Sequence, residues 1–400
     1  MTELSEFGAG VLVVAGGVLL ALLARKLSER FPIPAPALFL VAAAVASDVF
    51  PGLRDSVSIK TLERIAVVAL VVILFDGGMH VGWRRFRVAA VPIAVLGVAG
   101  TFATAGAMTL CAHYLFDFSW TTAGILGAAL APTDPAVMFS VLGDKEVGGR
   151  TGTILEGESG VNDPVGIALM IGMLEFATAD DGSFWTVVRE FSVEMGVGLA
   201  VGIFGAALLV PFIRRVTLPS EGLYPLRTLA AAGVIYGVAA LAHGSGFLAV
   251  FIAGLALGDV DAPHKESIER FHTSLASLGE IVVFVALGIT IDVTELGRDV
   301  WVDGLLLALL LALVARPLAV APFLGATRLR TRERIFVAWG GLKGAVPILL
   351  AAFAVLEGAS GANRIYGIVF VVVAFSVLVQ GGSLPFVAAR LGIPMRTVAR

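Results

Sequence analysis

Long apolar runs, each followed by a short polar, basic or glycine- and proline-rich stretch, make up nearly the whole chain. A helix that crosses a bilayer needs about 20 mainly apolar residues. Thirteen runs meet or approach that length, near 7–27, 33–50, 61–82, 88–112, 119–142, 151–178, 185–213, 223–243, 245–258, 268–291, 301–324, 333–357 and 364–389, the ninth being short. The predicted fold class is an all-α membrane protein of about 13 transmembrane helices. No linker or low-complexity stretch sets a second domain apart, so residues 1–400 read as a single transmembrane unit, with no cytoplasmic regulatory domain in this chain.

Composition makes lipid the solvent. The chain is 58% hydrophobic and only 15% charged, with a mean hydropathy of +0.94, where a soluble chain carries about 25% charge. A net charge of −3 gives no basis for a nucleic-acid partner. Cys111 is the single cysteine, which excludes an internal disulfide or a cysteine metal cluster. His80, His113, His243, His264 and His272 show no ligand spacing, so neither a cofactor nor a metalloenzyme is expected.

Charge also orients the chain. The first run has an acidic leader, Glu3 and Glu6, and its basic residues Arg25, Lys26 and Arg30 come after it. That order opposes a cleaved signal peptide and predicts a retained helix with the N-terminus outside. Counting from there, twenty of the 28 Lys and Arg fall in inside segments, the C-terminus included. A miscounted span would invert every later loop and erase the bias. The expected location is therefore the cell (inner) membrane, multi-pass, with a cytoplasmic C-terminus.

Thirteen spans divide as six, one and six, and a single linking helix would invert the second six against the first, a common transporter plan. A matched interruption supports this division. The fifth span is broken by Ala131-Pro132-Thr133-Asp134-Pro135 and the twelfth by Gly340-Gly341-Leu342-Lys343-Gly344-Ala345-Val346-Pro347. Broken helices at membrane depth persist only where the freed backbone groups find protein or water. Spans 5 and 12 are thus predicted to cross at a site between two inverted six-helix repeats.

Charged residues at mid-span cost about 2.5–3.5 kcal/mol each on insertion scales and mark function by default. Asp134 lies in the fifth span, Glu158, Ser159, Asn162 and Asp163 in the sixth, Arg316 in the eleventh and Lys343 in the twelfth. Glu158 and Asn162 are four apart, as are Ser159 and Asp163, so the pairs stack on neighbouring stripes of one helix face. Asp163 and Ser159, with backbone carbonyls freed near Thr133, form a hard oxygen set suited to a small monovalent cation. Desolvation favours the protonated form of such a carboxylate and a bound cation the ionised form, so one acid holds one or the other. Plainer readings stand beside these. Asp134-Pro135 and Asp163-Pro164 resemble helix caps followed by proline. Glu158 and Arg316 read as a structural ion pair. Lys343 either neutralises the ends of the broken helices or snorkels. Asp76, near the end of the third span, is either a site carboxylate or a solvated charge. Gly77-Gly78 and Gly340-Gly341 fit close helix packing rather than a phosphate loop.

These pieces resemble the sodium/proton exchanger branch of the monovalent cation:proton antiporters, including the bacterial NhaP type. The resemblance rests on Phe75-Asp76-Gly77-Gly78, Pro132-Thr133-Asp134-Pro135, Glu158-Ser159-Gly160-Val161-Asn162-Asp163-Pro164, Ala315-Arg316-Pro317 and Gly341-Leu342-Lys343-Gly344-Ala345, which occur in family order. It implies a homodimer in which a core part moves against a dimerisation part to give alternating access. It makes Asp163 the cation- and proton-binding carboxylate, with Thr133, Asp134 and Ser159 lining or supporting the site, Asn162 stabilising it, and Glu158 pairing with Arg316. Asn162-Asp163 is similar to the electroneutral type, one cation for one proton. Departures from the pattern are Asp76, where some relatives have Glu, and Lys343, where many have Arg. The wording is closest to bacterial K⁺/H⁺ antiporters, many of which carry a further cytoplasmic domain.

The expected function is therefore Na⁺/H⁺ or K⁺/H⁺ antiport rather than enzymatic catalysis, with monovalent cations, protons and the lipid bilayer as partners. A passive cation channel is the alternative from a neighbouring class. An intramembrane aspartyl protease is the enzymatic alternative, but its Gly-x-Gly-Asp wording is missing, Leu142-Gly143-Asp144 lying in a charged loop.

Overall fold

Among the described residues the long apolar runs fold as helices, because no water is available in a bilayer to satisfy an open backbone. The computed structural model describes residues 16–17, 19, 23, 34–50, 52–53, 57–134, 137–138, 142, 145–178, 183–325 and 327–397. Apart from residues 16–17, 19 and 23, the first predicted span, 7–27, lies outside the described residues, as do Glu3, Glu6, Arg30, Arg54, Pro135, Asp144 and Arg400. The remaining twelve predicted spans each coincide with helical structure. In chain order the elements are α1 (Ala35–Val49), α2 (Ile59–Val81), α3 (Trp83–Val88), α4 (Ala90–Phe116), α5 (Trp120–Leu130), α6 (Gly149–Thr178) and α7 (Phe184–Arg215). They continue as α8 (Leu223–Leu241), α9 (Gly246–Gly258), α10 (Lys265–Ile289), α11 (Arg298–Leu324), α12 (Thr331–Trp339), α13 (Ala345–Leu356) and α14 (Ala362–Leu391).

Local chemistry sets the starts of these helices. Ser58, Ser119 and Ser245 cap α2, α5 and α9, each hydroxyl accepting the N–H three residues on. Among the described residues eight helices are long and apolar enough to cross a membrane, and α1, α5, α9 and α13 are shorter apolar helices. α5 is short because its span breaks at Ala131, and the twelfth span is divided into α12 and α13 by Gly340–Gly344.

Proline does not always break a span. α6 runs unbroken from Gly149 to Thr178 through Pro164, so Asp163 is an interior residue of that helix and the cap reading of Asp163-Pro164 is overturned. Pro164 has no N–H to offer Gly160, which leaves that carbonyl without its helical partner one turn from Asp163.

Close helix crossings are made at small residues. A Cβ on Gly78 would stand 2.5 Å from the Phe251 carbonyl, and one on Gly254 2.3 Å from that of Phe75, so α2 and α9 touch backbone to backbone. Three of the long helices widen into a π-helical turn, at Val95–Gly100 in α4, Leu311–Ala315 in α11 and Ser376–Gly381 in α14. The one departure from an all-α chain among the described residues is a pair of three-residue strands. β1 (Lys145–Val147), just before α6, pairs antiparallel with β2 (Met395–Thr397), just after α14. Between α7 and α8, the Ser267 hydroxyl and then His264 hold the Glu221 carboxyl below the ordinary glutamate range, tying that loop to the start of α10.

Candidate ion site

The two interrupted spans meet at their breaks. After a last bond from the Ala131 N–H to the Ala128 carbonyl, α5 gives way to Pro132–Asp134, and the Asp134 N–H donates over 2.8 Å to the carbonyl of Leu342, a residue of the other break. Each break then sends a charged side chain to the other's helix end. Lys343 is only 1% exposed, and its Nζ donates to the carbonyls of Ala131 and Pro132, both at 2.8 Å, at the negative end of the α5 dipole. Asp134 lies over Gly344, the residue that opens α13, where a Cβ would come within 1.8 Å of its Oδ2. A carboxylate there faces the positive end of the α13 dipole. Gly344 is glycine because nothing larger fits beneath Asp134.

α6 crosses this pair of breaks and presents its polar face to them. The Asn162 amide donates to Thr133 Oγ1 over 2.7 Å and its Oδ1 accepts the Thr133 N–H at 3.3 Å. The Ser159 hydroxyl donates to the Thr133 carbonyl. Asn162 and Ser159 therefore staple α6 to the first break. Asp163 is 5% exposed and its Oδ1 is buried with no hydrogen-bond partner among the described residues. The charged groups acting on it are Asp134 and Lys343.

Glu158 and Arg316 form the second layer, a buried ion pair of 2.8 Å between α6 and α11. Arg316 follows directly on the π-helical turn of α11 and packs on Gly341, where a Cβ would stand 1.7 Å from its Nε. Glu158 Oε2 and Arg316 Nε are further buried atoms without a partner among the described residues. Asp76 is buried at the seam of α2 and α10, not solvated. Its side-chain partners are Thr273, at 3.1 Å, and His80, at 3.4 Å, and none belongs to either break.

The structure thus brings Thr133, Asp134, Glu158, Ser159, Asn162, Asp163, Arg316 and Lys343 into one cluster and places Asp76 in a separate polar contact. It also changes the expected donor set. The carbonyls of Ala131, Pro132 and Thr133, freed by the break, are engaged by Lys343 and Ser159. Two further residues complete the crossing. Ser376 Oγ accepts the Lys343 N–H at 2.8 Å, and Gln380 Nε2 donates to the Trp339 carbonyl, the last of α12, at 2.7 Å. The same spacing of four that exposes the polar face of α6 exposes Ser376 and Gln380 in the last span. No group of three or more His, Cys, Asp or Glu suited to a metal ion occurs among the described residues.

A buried carboxylate oxygen at two crossed, interrupted helices is the arrangement of an ion transporter. The fold is similar to that of the sodium proton antiporter MjNhaP1 from Methanocaldococcus jannaschii at pH 8, with a TM-score of 0.81, 24% identity, and coverage of 94% of this chain and 99% of that one. In sequence the chain is 36% identical over 395 residues to the K(+)/H(+) antiporter NhaP2 of Shewanella sp. (strain ANA-3), covering 97% of this chain and 67% of the relative. It is 35% identical over 383 residues to the K(+)/H(+) antiporter NhaP of Alkalimonas amylolytica, covering 94% of this chain and 66% of the relative. It is 26% identical over 409 residues to the Na(+)/H(+) antiporter NhaH of Halobacillus dabanensis, covering 96% of this chain and 97% of the relative. The chain spans about two thirds of the length of the first two relatives.

These likenesses define a multi-pass membrane transporter of the cation/proton antiporter class, not an enzyme. Residues 17–390 match the family described as sodium/hydrogen exchanger, transmembrane, and the chain belongs to that family.

Proposed function

We propose that this antiporter exchanges one monovalent cation for one proton by alternating access, the two competing for Asp163. Charge at the crossing carries the reading. Asp134 and Lys343 each sit at a helix end of opposite sign, and Glu158 and Arg316 neutralise one another. Asp163, its Oδ1 buried and unpartnered among the described residues, is left as the acid of the cluster that neither an ion pair nor a helix end offsets. A proton or a single alkali cation cancels that one charge, and both together would overshoot it. In a medium where an uncompensated charge is costly, the loaded states are the ones that cross. Asn162 and Ser159 hold α6 against the first break and position the acid; Thr133 Oγ1 is the neighbouring oxygen ligand. Asp76 would act on proton passage from its own seam.

K⁺ is the favoured cation, since the relatives at 35–36% identity are named as K(+)/H(+) antiporters and the one at 26% as a Na(+)/H(+) antiporter. The reading further takes the working unit as a homodimer in the cell membrane, N-terminus outside and C-terminus cytoplasmic, with the two six-helix halves inverted.

Reconstituted protein, assayed by lumenal pH after steps of K⁺, Na⁺, Li⁺ or Rb⁺, tests this directly. Asp163→Asn should abolish cation-driven proton movement while the protein still elutes as a folded species. Competition further predicts that the apparent KM for the cation rises by up to about tenfold per unit of falling pH below the titration point, at constant maximal rate. Exchange surviving in Asp163→Asn, or current through a planar bilayer without proton movement, would refute the proposal; the second result would indicate a channel.

A further inference from the structure

Away from the ion site, α7 and α8 enclose a groove of about 590 Å³. α7 lines it with Val201, Phe204, Leu208 and Phe212, a stripe at helical spacing, and α8 with Ala230, Val234 and Val238. The walls are apolar and open outward: Phe204 is 66% exposed and Val234 64%. At one end stands Arg227, itself only 9% exposed. Its Nη1 donates to the Val216 carbonyl, and its guanidinium lies 4.9 Å from the Tyr224 ring centroid and 5.6 Å from that of Phe212. Nε and Nη2 are buried with no hydrogen-bond partner among the described residues. Leaving two donors of a cation unpaired is costly, and a planar guanidinium edge matches the oxygens of a phosphate.

The dimensions match one leaflet. From Arg227 to Val238 the groove follows α8 for about 16 Å at 1.5 Å per residue, close to half of the roughly 30 Å hydrocarbon core. Arg214 and Arg215, at the end of α7, stand at the same end of the helix pair as Arg227. An amphiphile with an anionic head and a hydrocarbon tail complements this surface in both charge and length.

We propose that the groove between α7 and α8 binds one anionic phospholipid, its phosphate held by Nε and Nη2 of Arg227 and one acyl chain lying along the two helices. A zwitterionic lipid is the weaker ligand, because its own ammonium competes with the guanidinium for the phosphate.

The test is native mass spectrometry of the full chain in detergent, with phosphatidylglycerol or phosphatidylcholine added at equal concentration and inorganic phosphate as competitor. The unaltered chain should retain phosphatidylglycerol in preference, and free phosphate should not displace it. Arg227→Gln should reduce that preference about tenfold, the loss expected for a charge-assisted hydrogen bond, and Arg227→Lys should restore part of it. Ala230→Trp, at an exposed position of the groove wall, should reduce binding of both lipids and so tests the groove even if Arg227→Gln fails to fold. Equal binding of phosphatidylglycerol by Arg227→Gln and Ala230→Trp and the unaltered chain would overturn the proposal. So would near-complete disulfide cross-linking between two copies at Val234→Cys whether or not lipid is present, since a second copy would then occupy the groove.

Discussion

Helices α6 and α7 follow one another in the chain and are nearly equal in length, at 30 and 32 residues, yet their surroundings are opposite. The most apolar window of α6 is 72% buried inside the protein, that of α7 only 33%. α6 is the less apolar of the two and carries Glu156, Glu158, Ser159, Asn162 and Asp163, whereas α7 turns Phe184, Trp185, Leu199, Phe204 and Leu208 outward. In a water-soluble protein the ranking would run the other way. Where lipid is the solvent, the protein interior is the only polar environment at mid-depth, so the polar helix is the enclosed one. The comparison also separates two kinds of importance. α6 is constrained atom by atom, α7 chiefly by being apolar.

Substitutions on the two helices can break or sharpen this contrast, each read as the midpoint of thermal loss of the folded species in detergent. The largest effect is expected at Glu158→Gln. It leaves Arg316 charged and buried without its counter-ion, and removal of one partner from a buried pair costs about 3–5 kcal/mol. Replacing both partners by apolar residues of similar size, as in Glu158→Leu with Arg316→Met, should recover much of that loss. Gly160→Ala should cost about 1–3 kcal/mol by overpacking, since the added Cβ would stand 2.2 Å from the Phe251 ring. The smallest effect is expected on α7. A Cβ on Gly196 would meet nothing within 4 Å, so Gly196→Ala should be neutral or stabilise by up to about 1 kcal/mol through helix propensity. Equal sensitivity at Gly160 and Gly196 would show that α7 is enclosed by a partner rather than by lipid.

How much of this was legible in the sequence depends on the range of the interaction. Span positions follow from the length of apolar runs, a local property, and from the second span to the thirteenth they coincide with the helices. The breaks at Ala131–Asp134 and Gly340–Gly344 are also signalled locally, since clustered proline and glycine weaken a helix from within. Asp163-Pro164 shows the limit of that rule. The same dipeptide logic points to a cap, but the surrounding packing carries α6 straight through Pro164. Of the partners across the fold, the Glu158–Arg316 ion pair was legible, because a permanently charged residue at mid-span demands a counter-ion; the contacts with uncharged partners were not. Helical spacing identifies the face bearing Ser159 and Asn162, not that both would engage Thr133, nor that Lys343 would take the carbonyls of Ala131 and Pro132. Ser376 and Gln380 were within reach of the i, i+4 rule, but two uncharged residues in an apolar span raise no desolvation alarm of the kind that Asp, Lys or Arg raises.

Lys343 is in effect a leashed ion. Its ammonium occupies two carbonyl oxygens of the kind that also coordinate alkali metals, and a covalent tether keeps it from ever leaving. Those oxygens are consequently closed to any mobile cation, and a lysine at this position sets an upper limit on how many positive guests the crossing can admit.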